Sequence, residues 1–105
     1  MIGYRFLSIA DHEMSEAAVF YESRWTGLGS DFLDDVQQAV DRLCVYPETG
    51  VEGGDGLRSI LLHRFPFNLI YSLESVGVLI VSVAHHRRRP GYWRFRTSDD
   101  QAPKW

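Results

Sequence analysis

A chain of 105 residues that is 45% hydrophobic and 24% charged has the size and composition of one compact domain with a modest core. No apolar run approaches the ~20 residues a membrane span needs, and the N-terminus lacks the basic and apolar regions of a secretory leader, so no membrane partner is expected. Cys44 is the only cysteine; it excludes an internal disulfide, suits a reducing cytoplasm, and falls on the apolar side of a predicted helix as a small hydrophobe.

The net charge of −3 hides a division. Residues 1–56 carry eleven acids against Arg5, Arg24 and Arg42, a net of −8. Residues 57–98 carry seven arginines against Glu74, a net of +6. An acidic body with one basic region points either to a polyanion or acidic protein as partner, or to mutual neutralisation within the fold.

In chain order, Tyr4 to Ile9 reads as a strand. Asp11 stands at an N-cap position, with Glu13 and Glu16 where a helix dipole favours acids. Met14, Ala17, Ala18, Tyr21 and Trp25 then form one helical stripe. Gly27 and Gly29 end that helix, and Ser30 stands as cap for a second one. Its stripe is Phe32, Val36, Ala39, Leu43 and Tyr46, and Pro47 stops it. The two form a helical hairpin packed on the sheet, and the acids on their opposite faces make a solvated surface or receive a basic partner.

Glu48 to Gly56 has glycine at four of nine positions and reads as a flexible loop. From Leu57 the period changes to two. Phe67, Leu69, Tyr71 and Leu73 share one face of a strand, and Ser75-Val76-Gly77 is a hairpin turn. Val78 to Ala84 is apolar or small throughout, which fits a strand covered on both faces. Pro90-Gly91 ends it, and Tyr92 to Arg96 has room for a short turn of helix. The order is βααβββ, an α+β fold with a small antiparallel sheet and an N-terminal helical hairpin on one face. Residues 1–98 make a single domain, and 99–105 form a polar, fraying tail.

The strand ends in HHRRRPGYW, residues 85–93. Arginine forks hold phosphate bidentately, Tyr92 and Trp93 offer flat surfaces, and histidine exchanges protons near neutral pH. His85, His86, Arg87, Arg88, Arg89, Tyr92 and Trp93 therefore make a candidate contact surface for a target or polyanion. Arg58, His63 and Arg64 are candidate auxiliary groups. The same residue types serve RNA cleavage by 2′-OH attack, with His86 or His85 as acid/base. Adjacent His85 and His86 point to opposite faces of a strand and cannot share an ion there, so no metal and no cofactor is expected.

HRFPFNLIYSLE followed by VSVAHHRRRPGYW, behind a βαα beginning, resembles the RelE/ParE superfamily of bacterial type II toxins, and most the ParE-like branch. The resemblance implies a growth-inhibiting toxin encoded beside a cognate antitoxin that wraps and neutralises it. ParE-like members poison DNA gyrase, whereas RelE-like members cleave messenger RNA on the ribosome. By position, the RelE-type basic and aromatic residues correspond to His86, Arg88 and Tyr92, the catalytic set if the chain is a ribonuclease. Other RelE-type cations are missing, since their places are held by Asn68, Ser59 and Leu61. The resemblance thus implies a gyrase poison first, an mRNA endonuclease second, and a non-toxic antitoxin-binding relative third.

Overall fold

The computed structural model describes residues 1–96; the tail expected to fray lies outside the described residues. Its elements are β1 (Gly3–Phe6), α1 (Ser8–Arg24), α2 (Leu28–Val45), β2 (Val51–Glu52), β3 (Leu57–Leu61), β4 (Phe67–Glu74) and β5 (Gly77–His85). They form the expected α+β fold, with the sheet in the order β1-β5-β4-β3-β2. β2 through β5 pair antiparallel, while β1 lies parallel to β5, from Gly3 opposite Gly77 to Phe6 opposite Ile80.

The core explains these boundaries. Leu7 is fully buried and its amide donates to Ile80 O at 3.0 Å, so the chain must turn there, and α1 begins at Ser8. Asp11 therefore lies in the first turn rather than at the cap. Met14, Ala17, Ala18 and Tyr21 pack on the core as the stripe requires, but Trp25 sits in extended backbone after α1 and is 75% exposed. α2 starts at Leu28, after Gly27 in the left-handed region, not at Ser30. Phe32, Val36, Ala39 and Leu43 are buried, and the helix ends before Pro47 with Tyr46 left outside.

β5 is buried from Gly77 through Ala84, as its continuous apolar run predicts. Gly77 has φ 152, and a Cβ there would collide with the Gly3 carbonyl, so the parallel approach of β1 demands glycine. Ile70 pairs with Ser82 and Tyr71 with Ile80, which makes Val81 an extra residue and places a bulge in β5.

The glycine-rich loop is less free than its composition suggests. Tyr71 is fully buried; its hydroxyl donates to Pro47 O at 2.7 Å and accepts from Gly50 N at 2.9 Å. Arg58 donates to the carbonyls of Glu48 and Gly50 and pairs with Glu52 at 2.9 Å. Both anchors come from the sheet, and they hold the loop so that β2 adds a two-residue strand beside β3.

Candidate functional site

β1 accompanies β5 only as far as Ile80, so residues 81–85 run past it with their outer edge open. Unpaired strand edges need partners. Here they come from two distant places: Val83 N donates to Glu13 Oε1 at 3.1 Å, and Val81 O accepts from Arg96 Nη1 at 2.9 Å. Glu13 is thus the hub of a network. It also accepts from Ser82 Oγ at 2.9 Å, from Tyr92 Oη at 2.8 Å, and from both terminal nitrogens of Arg96 at 2.9 and 3.1 Å.

Burial pushes the Glu13 carboxyl up, but hydrogen bonds from Arg96, Tyr92 and Val83, together with the Arg96 charge, outweigh it and hold the group below 4.5. Burial raises the Tyr92 phenol above 10, and its bond to Glu13 adds to the rise although Ser82 opposes it.

Beyond β5 the chain makes a tight turn fixed by its own backbone. His86 N donates to Pro66 O at 2.9 Å, Arg88 N to His85 O at 2.9 Å, and Arg87 N to His85 Nδ1 at 3.0 Å. The last contact uses the Nδ1 lone pair. The His85 ring meets the Phe67 ring edge-on at 4.9 Å. Desolvation, then the charges of Arg87 and His86, lower its pKa from 6.5. His86, Arg87, Arg88 and Arg89 are exposed, with the Arg88 guanidinium 4.2 Å from the centre of the Tyr92 ring. Gly91, at φ 85, then begins two successive turns closed by Arg94 N to Gly91 O and Arg96 N to Trp93 O. These turns take the place of the short helix anticipated from the sequence.

The structure brings His85, His86, Arg88 and Trp93 to one recess, with Asn68 in its wall. A second recess on the helix side of His85 and Arg88 is lined by Phe20, Tyr21, Phe67 and Tyr92. Arg87 and Arg89 flank the turn. Arg58 is engaged by the loop before β3, and Arg64 faces Asp31 at 3.5 Å. His63 contacts Arg42 through its ring. All three auxiliary candidates therefore have other partners. Among the described residues no group of His, Cys, Asp and Glu side chains comes together to hold a metal ion, and no helix is long and apolar enough to cross a membrane.

Two acids assigned to the solvated helical surface are not there. Glu13 makes the network above. Asp35 is 3% exposed and accepts from the amides of His63, Arg64 and Phe65 at 3.3, 2.8 and 3.1 Å, which closes the β3–β4 turn. A signal for Asp35 exists in the sequence, since it lies three residues after Phe32 on the α2 stripe, whereas the place of Glu13 becomes plain only with the burial of Ala10 one turn before it.

Residues 4–90 match the family model described as the ParE toxin of the type II toxin-antitoxin system, parDE. No curated protein matches the chain. Among solved structures, the chain is similar in fold to one from P. aeruginosa titled the chromosomal ParDE TA system. The TM-score is 0.68 at 17% identity, covering 81% of this chain and 96% of that one. The matched span takes in β1 through β5 and the arginine turn but stops before Tyr92, so the Glu13 network straddles its end. On the strength of that match over most of its length, the chain belongs to the ParE toxin family of type II toxin–antitoxin systems.

Proposed function

We propose that this toxin arrests growth by binding and poisoning DNA gyrase through the arginine turn, and that a cognate antitoxin neutralises it in the cytoplasm. One observation carries the reading. Arg58, Arg64, Arg94 and Arg96 are each paired with a carboxylate, whereas Arg87, Arg88 and Arg89 have no ion pair among the described residues. Three exposed cations on a turn pinned to a buried strand are available to an acidic partner. The outer face of α1 exposes Val19 and Phe20 among acids, with Trp25 just beyond, and suits an amphipathic antitoxin segment.

The recess holding His85, His86 and Arg88 favours ribosome-dependent mRNA cleavage as the second reading. The position of Tyr92 weighs against it, because the hydroxyl that would join the proton path is committed to Glu13 and Ser82.

The test is a supercoiling and cleavage assay with purified, antitoxin-free protein over a concentration series. Inhibited supercoiling or trapped plasmid breaks are the expected result. Folded protein that arrests growth with no effect on gyrase would overturn the reading in favour of translated mRNA, with His86→Gln the next variant. Unimpaired growth on expression without antitoxin would leave a non-toxic relative.

A further inference from the structure

We infer that the arginine turn binds the phosphate backbone of duplex DNA without reading its sequence. This goes beyond the gyrase reading and stands without it, while giving the toxin a direct hold on the DNA of a gyrase complex.

Three observations converge. The basic region's charge is largely spent internally, and what remains is concentrated at residues 87–89. Arginine's planar fork matches phosphate oxygens, and its charge persists at any working pH. Secondly, the Tyr92 ring, the aromatic nearest the arginines, is occupied. The Arg88 and Arg96 guanidinium carbons lie 4.2 and 5.1 Å from the centre of the Tyr92 ring, and the Trp93 ring lies 5.1 Å from it in an edge-on contact. Single-stranded nucleic acid is held mainly by bases stacking on open aromatic faces. With Tyr92 covered and Trp93 half-buried against it, the turn itself presents cations, which favours backbone contact with a duplex, while the exposed ring nearby, Phe95, lies beyond Arg94. Thirdly, the rest of the chain is acidic, which confines a polyanion to this end. The His86, Arg87 and Arg88 amides are bonded within the protein, so contact falls to the side chains.

Three phosphate contacts predict a slope of log K against log salt of about −2.7, so doubling the salt should weaken binding about sixfold. Affinity should lie in the non-specific range, roughly 10⁻⁴ to 10⁻⁶ M. The experiment is fluorescence anisotropy of a labelled duplex of scrambled sequence, titrated with antitoxin-free protein across a salt series. The R87Q/R88Q/R89Q variant should retain the wild-type melting temperature and lose nearly all the slope. Each single Arg→Gln variant should reduce it by about 1. Arg24→Gln, exposed and likewise without an ion pair among the described residues, should leave it unchanged.

A slope that survives the triple substitution, or falls equally with Arg24→Gln, would overturn the inference. So would polyglutamate competing as well as duplex, which would mean a carboxylate surface, or single strands outcompeting duplex, which would mean stacking. Gyrase poisoning without DNA binding would remove this inference alone. DNA binding without any effect on gyrase would remove the gyrase reading alone.

Discussion

Asp35 on α2 and Glu13 on α1 both place a carboxylate on a helix's core stripe, and each fastens a distant segment to its helix. They differ in what they hold. Asp35 takes three backbone amides of the β3–β4 turn, donors that any sequence there except proline would supply. Glu13 takes one amide and three side chains, and its grip depends on the identity of Ser82, Tyr92 and Arg96 and on its own charge. The first corner is scaffold. The second responds to sequence and pH, and it supports the arginine turn through the Arg88–Tyr92 contact.

The largest expected loss of stability comes from the scaffold corner. Asp35→Ala leaves three amides without their acceptor and should destabilise the fold by about 3 kcal/mol, with a melting temperature lower by about 12 °C or more. A loss under about 1 kcal/mol would mean that water replaces the carboxylate and the corner is not scaffold.

Glu13→Gln should come next, at about 2 kcal/mol, because it keeps an acceptor but leaves Arg96 without its counter-charge in a site where both side chains are little exposed. Hydrogen exchange should localise the change to residues 91–96. The same residue gives the pH dependence its sign. Its native pKa is lower than the unfolded value, so its contribution is complete above 4.5 and is lost as pH falls through the depressed native value. The difference in melting temperature between wild type and Glu13→Gln should therefore shrink on acidification below 4.5. A difference that grows there would contradict the network.

A smaller effect, about 1 kcal/mol, is expected for Tyr92→Phe, which removes the bonds to Glu13 and Ser82 and keeps the ring under Arg88. Growth arrest should persist in this variant, because Tyr92 supports the turn. Its abolition with the melt little changed would instead favour a role for the hydroxyl in RNA cleavage.

What was legible in the sequence follows from how far apart the interacting residues lie. The α2 stripe from Phe32 to Leu43, the period-two run of Phe67, Leu69 and Tyr71, and the burial of β5 are local periodicities and appeared as read, whereas Tyr46 and Leu73, the last members of their patterns, are exposed. The arginine turn was legible because it is contiguous. The parallel pairing of β1 with β5 was not, since it joins strands more than 70 residues apart with no hairpin to announce it. Nor was the hold of Tyr71 and Arg58 on a glycine-rich loop, which composition alone marks as loose. Glu13 meets Tyr92 and Arg96 across 79 and 83 residues, so its role emerges only once β5 has outrun β1. The charge asymmetry pointed to the end that carries the arginine turn, but four of its seven arginines serve internal pairs.

The central claim is that the arginine turn acts outwards while the Glu13 network holds the fold behind it. Reversal of Arg87, Arg88 and Arg89 to glutamate tests this most directly, with melting temperature and growth arrest measured on the same variant. The account predicts a stability change within about 1 kcal/mol, as for exposed side chains without ion pairs of which only Arg88 has a ring contact, retained antitoxin binding and complete loss of growth arrest. An unfolded variant would make the arginines part of the scaffold, and a folded one that still arrests growth would place the toxic surface elsewhere.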